Sequence, residues 1–250
     1  MMPTHQLPLV IRDATAADMV EVQAIYAFYV TRTSASFEED APTVEEMQRR
    51  LAKTYERGLP YLVAEVDGEI VGYTYAGPWR FRSAYRYTIE DSIYVAPSVT
   101  RRGVGSSLLS ALIERCTELG YRQMIGVIGD SANHGSIGLH RRLGFRQEGV
   151  LRGVGLKFGR WIDAVIMHRP LGDATTGLPD HPGLPPMPLP RRSERRREAL
   201  PESGSGRFGW QGCLLAAGHR RSHDEGCHCR CATQPPPSKP PAPPDHRHCR

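Results

Sequence analysis

The stretch VTRRGVGSSLL, residues 99–109, joins a strand pattern to a helix pattern through two glycines and two arginines. The residues before it, 87–95, are rich in the β-branched and aromatic side chains that are typical of strands. After it, Leu108, Leu112 and Cys116 recur at helical spacing. A Gly-x-Gly turn at the start of a helix directs several backbone N–H groups at one spot, which favours a phosphate group. A tight turn with two solvated arginines explains the same residues, so the turn alone does not decide between the two interpretations.

Two common phosphate-binding motifs do not fit this turn. Leu108 stands where the third glycine of a dinucleotide-binding fingerprint would be, and no GK[ST] follows as in a Walker loop. Arg101 and Arg102 add positive charge beside the glycines, which suits a pyrophosphate.

Strand and helix patterns alternate through residues 1–172. Thr43 and Glu46 fit a capping box, and Asp67-Gly68 is a strong hairpin signal. The patterns predict helices over 18–29, 43–55, 105–119 and 136–143, and strands over 10–12, 61–66, 69–76, 87–95, 124–128, 151–157 and 161–168. One helical crossover, from strand 87–95 to strand 124–128, predicts a parallel strand pair. The fold class is therefore α/β, a mixed sheet flanked by helices.

Composition divides the chain near residue 172. Residues 173–250 carry 14 of the 21 prolines, 12 of the 32 Lys and Arg, and 8 of the 27 Asp and Glu, and so supply +4 of the net charge of +5. Such a segment cannot bury enough apolar surface to fold, so residues 173–250 are expected to be a disordered tail. The remaining part is nearly neutral and gives no reason to expect nucleic-acid binding.

Cysteine use and hydropathy restrict the classes further. Residues 1–172 contain one cysteine, Cys116, and no stretch long and apolar enough to span a bilayer. The start, MMPTHQLPLV, lacks the pattern of a secretory signal, so we expect a cytoplasmic protein that does not bind membranes. The tail run CHCRC, residues 227–231, invites a zinc interpretation, but its spacing differs from the usual CxxC pairs and no metal site is predicted.

Four stretches in order, YAGPWRFRSAYRYTIEDSIYV, RRGVGSSLL, NHGSIGLHRRLGF and GVGLKFGRWIDAVIM, resemble the GNAT N-acetyltransferases. Within them the chain is most similar to the phosphinothricin and methionine sulfoximine N-acetyltransferases. The resemblance implies the GNAT fold, acetyl-CoA as co-substrate, and acetylation of the α-amino group of a small amino acid analogue such as L-phosphinothricin or methionine sulfoximine or sulfone. Thr100 departs from the Gln or Arg that the family usually has at that position.

The resemblance also assigns roles to residues. It implies Glu90 as general base, and it places at His140 a histidine that either protonates the leaving thiolate or orients a substrate. Coenzyme A is expected to contact the turn, the strand that precedes it and two residues of the later helix: Ile93, Tyr94, Val95, Arg101, Arg102, Gly103, Val104, Gly105, Ser106, Asn133 and Arg142. The acceptor is expected to contact Phe37, Arg80, Phe81, Arg82, Asp91 and Ser92.

One observation on the residues themselves bears on these roles. Arg80 and Arg82 alternate along what the sequence suggests is an extended stretch, so their guanidiniums would lie on one side and pair with an anionic acceptor. The simpler interpretation of Arg80 and Arg82 is that they are solvated arginines in a loop. The simpler interpretation of Glu90 is that it is a surface carboxylate without a catalytic role.

Other functions are also consistent with parts of the sequence. They are acetylation of a different primary amine, such as a protein N-terminus or a polyamine, a coenzyme A binding module without turnover, and an interaction protein that acts through its basic tail. A polyamine pocket should be lined by acids, which Arg80 and Arg82 oppose. A homodimer is expected only by analogy with the family.

Overall fold

Seven strands form one sheet in a computed structural model that describes residues 9–185. The strands are β1 (Val10–Asp13), β2 (Tyr61–Val66), β3 (Glu69–Pro78), β4 (Thr88–Val95), β5 (Gln123–Gly129), β6 (Arg146–Lys157) and β7 (Arg160–Pro170). The helices are α1 (Met19–Arg32), α2 (Val44–Glu56), α3 (Val104–Glu118) and α4 (His134–Arg142). The strand order is β1-β2-β3-β4-β5-β7-β6. The predicted mixed α/β sheet is confirmed.

The pair β4–β5 is parallel, and the other neighbouring strands are antiparallel. Helix α3 makes the predicted crossover between the two parallel strands. Their register ends at Asp91 opposite Gly126, although β4 runs on to Val95 and β5 to Gly129. The two strands therefore diverge at their carboxyl ends and leave a gap in the middle of the sheet.

Each face of the sheet has its own core. On one face α3 buries its apolar stripe, and Leu108, Leu112 and Cys116 are all fully buried there. On the other face α1 and α2 cover a cluster that includes Tyr61 and Tyr73. The gap between β4 and β5 thus connects two differently built sides of the molecule.

Some helices and strands begin or end at other residues than predicted. Helix α1 continues to Arg32, and β6 begins at Arg146 rather than at 151. Two register shifts interrupt the pairing of β6 with β7, which obscures the alternation that the sequence would otherwise show. Residues 80–82, expected to be extended, follow the end of β3 as a bend that leads into the short 3₁₀ helix Ser83–Tyr85.

Residues beyond 172 also pack against the domain. Leu184 is buried in the α3-side core, and its backbone N–H donates to Arg86 O at 2.8 Å. His181 Nε2 lies 2.7 Å from Gly120 O, and the Tyr87 hydroxyl donates to His181 O at 2.6 Å. Residues 173–185, which the sequence assigned to a disordered tail, therefore pack on the domain. The rest of that assignment, including CHCRC, lies outside the described residues.

Two further properties concern residues 9–185 alone. None of the helices there combines the length and apolar character needed to cross a bilayer. The same residues hold no group of three or more His, Cys, Asp or Glu side chains placed to bind a metal ion.

Candidate active site

The gap between β4 and β5 holds a cavity of about 520 Å³. Its walls come from the diverging ends of both strands, from the glycine turn and from the start of α4. Nine residues predicted to contact coenzyme A line it: Ile93, Tyr94, Val95, Arg101, Gly103, Gly105, Ser106, Asn133 and Arg142. Residues far apart in sequence are thus brought together around one opening.

The glycine turn has the geometry of an anion site. Gly103 is the N-cap of α3 and has φ of 87°, a left-handed conformation that glycine adopts without strain. No side chain caps the helix, and its first backbone bond runs from Ser107 N–H to Gly103 O. The N–H groups before Ser107 therefore have no partner within the helix and are available to a ligand. Arg101 also has positive φ, 64°, which is uncommon for a residue with a side chain.

Gly105 allows the close approach that forms the inner edge of this site. A Cβ atom there would lie 3.3 Å from Leu139 Cδ2 and 3.6 Å from Val95 Cγ2. The second glycine of the motif thus serves packing of α3 against β4 and α4.

Two of the predicted coenzyme contacts differ from the rest. The side chain of Val104 is buried in the α3-side core, where it packs rather than lining the cavity. Arg102 is exposed and does not line the cavity, so of the two arginines only Arg101 reaches it. The helical periodicity of Val104 with Leu108 already indicated a core position for that side chain.

The free end of β4 is held from the α1 side. The Tyr29 hydroxyl donates to Val95 O at 2.6 Å, and the Tyr29 and Tyr94 rings lie 5.3 Å apart. Tyr29 also lines the cavity. This position was not predictable, because the spacing of Tyr29 in the sequence indicates only the buried face of a helix.

Helix α4 brings its N-cap residue and a charged side chain to the cavity. Asn133 is its N-cap, and Asn133 Oδ1 accepts a hydrogen bond from Ser136 N at 3.2 Å. Arg142 lies in the last turn and also lines the cavity.

His140 is only 2 % exposed, and both of its ring nitrogens have partners. Nδ1 donates to Ser136 O at 2.8 Å, and Nε2 lies 3.0 Å from Asp91 Oδ2. Burial opposes charge on the ring, but the hydrogen bond and charge of Asp91 raise the pKa of His140. Because a carbonyl oxygen only accepts hydrogen bonds, Nδ1 must carry a proton. The hydrogen bond between Nε2 and the Asp91 carboxylate then uses the other proton of the His140–Asp91 pair. No ring N–H is left over for a leaving group.

Glu90 is a half-buried carboxylate on the paired part of β4, just before the gap. Burial, together with the charge of Asp91, raises the pKa of Glu90 to about 7, while Arg80 opposes the rise. A carboxylate with a pKa near the working pH is suited to accept a proton.

Adjacent residues of a strand point to opposite faces of the sheet. Asp91 faces α4 through His140, so Glu90 faces α1 and α2, and Glu90 raises the pKa of Tyr75 on that side. The two predicted catalytic residues, Glu90 and His140, therefore lie on opposite faces. Asp91, predicted to contact the acceptor, is instead buried and paired on the far face; Ser92 shares the face of Glu90.

The remaining residues predicted to bind the acceptor lie outside the cavity in the gap. Arg80, Phe81 and Arg82 are exposed, and the Arg80 guanidinium stacks over the Trp79 ring at 4.7 Å. Because residues 80–82 form a bend and not a strand, strand alternation does not place Arg80 and Arg82 on one side. Of these two arginines, only Arg80 affects the pKa of Glu90.

The loop after α1, which includes Phe37, is fastened to the end of β5 and to the β6–β7 hairpin. Ser34 Oγ donates to Asp130 Oδ2 at 2.8 Å, and Arg160 reaches the same oxygen at 2.6 Å. The buried Lys157 ammonium donates to Ser36 O at 2.7 Å. The loop is therefore held in place, with Phe37 half exposed.

The gap between the parallel strands thus has free backbone N–H groups of the glycine turn at its α3 side, while the raised-pKa carboxylate Glu90 lies on the opposite face of the sheet, just before the gap. The family described as Acetyltransferase (GNAT) domain matches residues 11–166. The chain belongs to this GNAT acetyltransferase family, and it is a phosphinothricin N-acetyltransferase-like enzyme.

Relatives of known activity and structure agree with this assignment. The chain is 53% identical to a phosphinothricin N-acetyltransferase of Alcaligenes faecalis over 65% of this chain and 83% of that one. It is 41% identical to an L-methionine sulfoximine/L-methionine sulfone acetyltransferase of Pseudomonas aeruginosa, over 68% and 98%. A Sinorhizobium meliloti phosphinothricin acetyltransferase, solved in complex with acetyl-CoA, superposes with a TM-score of 0.67 at 45% identity, over 68% of this chain and 92% of that chain.

Proposed function

We propose that this protein transfers the acetyl group of acetyl-CoA to the α-amino group of a phosphinothricin-like amino acid. The observation that carries the proposal is the gap between β4 and β5, which opens directly after the paired residues Glu90 and Asp91 and is lined by the glycine turn. Donor and acceptor can then approach from opposite sides and meet within the sheet.

On the donor side, the free N–H groups of the glycine turn and Arg101 would bind the diphosphate of coenzyme A. The free edge of β4, residues 92–95, offers strand-like hydrogen bonds to the amides of the pantetheine arm. Asn133 and Arg142 line the same cavity and would contact the same arm. Thr100 lines the cavity but donates its hydroxyl to Pro97 O at 3.2 Å, so the backbone would supply most of the binding.

The chemistry needs a neutral amine and a proton for the departing thiolate. Glu90 accepts the ammonium proton, the amine nitrogen attacks the thioester carbon, and a backbone N–H of β4 stabilises the oxyanion. Collapse of the tetrahedral intermediate breaks the C–S bond, and the proton from the amine leaves with the coenzyme A thiol. Glu90 is suited to this role because its pKa, about 7, lies near neutral pH.

On the acceptor side, Arg80 would pair with a carboxylate, since its charge already acts on Glu90. Phe81 and Arg82 lie beside it on the same bend, and Phe37 and Ser92 would complete the surroundings of the acceptor. Relatives that acetylate phosphinothricin and methionine sulfoximine support an amino acid analogue as substrate.

For His140 we propose the orienting role. Its buried pair with Asp91 ties α4 to β4 and fixes one wall of the coenzyme site. His140→Gln is expected to raise the Kd for acetyl-CoA and to lower the melting temperature, with a modest change in kcat. A large loss of kcat with both of the other values unchanged would identify His140 as the acid instead.

The test of the activity is release of free thiol from acetyl-CoA with phosphinothricin, methionine sulfoximine, methionine sulfone and spermidine in parallel. Saturable turnover with the three anionic amino acid analogues, and none with spermidine, is the expected result. Tight acetyl-CoA binding without turnover of any acceptor would overturn the proposal and leave a non-catalytic coenzyme A module.

We propose self-association as well, because the β6–β7 hairpin exposes a set of large apolar side chains: Leu151, Val154, Leu156, Phe158 and Trp161. Light scattering after size exclusion is expected to give a dimer mass, and Trp161→Lys is expected to lower that mass to a monomer. A monomer mass for the wild-type protein would contradict the proposed self-association. The cytoplasmic location and the absence of membrane and nucleic-acid partners stay predictions.

A further inference from the structure

A second cavity, of about 290 Å³, lies on the α1–α2 face, between α2 and the strands β2 and β3. Three tyrosines form its sheet-side wall, and their rings are nearly parallel: Tyr61, Tyr73 and Tyr75, with interplanar angles of 9°, 13° and 4°. We call this space the tyrosine cavity. The sequence assigned no binding role to any of the residues that line it.

One polar atom at this cavity lacks a partner. Tyr61 is 1 % exposed, and its hydroxyl is buried without a hydrogen bond to any other described residue. Its neighbours differ: Tyr26 pairs with Ser36 at 3.0 Å, and Tyr55 donates to Ala14 O at 2.7 Å. Leaving a buried hydroxyl unpaired costs about 1–3 kcal/mol, and because Tyr61 lines the cavity, an acceptor on a ligand bound there would offset that cost.

Three cationic residues are among those that line the cavity. Arg50, Lys53 and Arg57 line it from α2 and its C-terminal end. Arg50 is paired with Glu38 at 2.8 Å and with Glu46 at 3.1 Å, whereas Lys53 and Arg57 have no acidic partner among residues 9–185. Two free cations and one free hydroxyl favour a ligand group that carries an oxyanion.

Gly77 brings the cavity next to Glu90. Gly77 lies directly opposite Glu90 in the β3–β4 register, and it also lines the cavity. A Cβ atom at Gly77 would meet nothing within 4 Å, so this position leaves a passage where another residue would place a side chain. Neighbouring strands are about 4.8 Å apart. A chain of a few atoms can therefore reach from Glu90 into the cavity.

From these observations we infer that the tyrosine cavity binds the side-chain end of the acceptor, as an oxyanion on a chain of a few atoms. The inference rests on the proposed function. The acceptor amine lies at Glu90, its α-carboxylate lies by Arg80, and its side chain crosses Gly77 so that its oxyanion accepts a hydrogen bond from Tyr61 and faces Lys53 and Arg57. The cavity then selects amino acids by the length and charge of the side chain.

The test uses Tyr61→Phe and Gly77→Val, with Gly149→Val as the matched control. Gly149 also lies in a strand of this sheet with nothing within 4 Å of a Cβ, but it is far from the cavity. KM for phosphinothricin is expected to rise about tenfold in Gly77→Val and several-fold in Tyr61→Phe. The Kd for acetyl-CoA is expected to stay within twofold of wild type in all three variants, and the control is expected to keep both values.

The outcomes separate the two proposals. Wild type without turnover would overturn the proposed function itself. Wild-type turnover with an unchanged phosphinothricin KM in Tyr61→Phe and Gly77→Val would overturn the tyrosine cavity alone. A rise in the acetyl-CoA Kd equal to the rise in acceptor KM would also overturn it, because a general disturbance of the fold moves both.

Discussion

At the scale of the residue, the neighbouring carboxylates Glu90 and Asp91 show how strand alternation separates two roles. Asp91 pairs with His140 in the core of the α3 and α4 face, whereas Glu90 faces α1 and α2, half buried and without an ion-pair partner at salt-bridge distance among the described residues. Because the pKa of Glu90 is raised to about 7, the folded protein keeps a proton that the unfolded chain has lost. The position favoured for catalysis therefore works against stability.

The consequence is a stability that depends on pH through Glu90. Between pH 4.5 and about 7 the folded state holds the Glu90 proton and the unfolded state does not, so wild-type stability falls as pH rises and stays lower above pH 7. Glu90→Gln removes this loss. Its free energy of unfolding relative to wild type should increase by on the order of 2 kcal/mol from pH 5 to pH 8, measured by urea unfolding.

Glu118→Gln, at an exposed position near the end of α3, serves as the control for this change. If it shifts the relative stability between pH 5 and pH 8 as much as Glu90→Gln does, the effect is one of net charge and the explanation through burial fails.

At the scale of the element, the turn 99–109 and helix α3 were predictable because their chemistry is local. Glycines, arginines and an apolar stripe lie within one short stretch. The divergence of β4 from β5 was not predictable, because it is a property of pairing between distant segments. The Asp91–His140 pair and the tyrosine cavity were missed for the same reason: their members meet only in the sheet. The strand alternation assumed for Arg80 and Arg82 was wrong, because β3 ends at Pro78.

A prediction at this scale concerns the loop that carries Phe37. A Cβ atom at Gly155 of β6 would overlap the Phe37 ring, whereas one at Gly149 of the same strand would meet nothing within 4 Å. Gly155→Ala should therefore displace Phe37 and raise KM for the acceptor several-fold. Because the half-exposed ring can turn aside, the free energy of unfolding should fall by only about 1 kcal/mol.

Steady-state kinetics and thermal unfolding of Gly155→Ala and Gly149→Ala make the comparison. Equal KM values in the two variants would show that Phe37 has no part in acceptor binding.

At the scale of the whole molecule, the domain is larger than its composition indicates. Proline and glycine mark residues 173–185 as irregular, yet Leu184 is buried, and His181 is fastened to Gly120 and Tyr87. Irregular backbone can pack as well as a helix when its polar groups find partners. Composition therefore places the boundary of the packed chain too early.

A chain that ends at Gly172 should consequently be less stable than one that ends at Pro185. Burial of one leucine contributes about 1.5–3 kcal/mol, so the melting temperature should fall by several degrees in the shorter chain. Calorimetry of the two chains measures the difference, and identical melting temperatures would show that residues 173–185 add nothing to stability.

We propose that Glu90 takes the proton from an amine that meets acetyl-CoA in the gap between β4 and β5. The most direct measurement is kcat for phosphinothricin acetylation by Glu90→Gln, alongside the Kd for acetyl-CoA of the same protein. We expect kcat to fall by about 10²–10⁴ while the Kd stays within twofold of wild type. A variant that keeps the wild-type kcat would contradict this proposal and leave Glu90 as a half-buried carboxylate without a catalytic role.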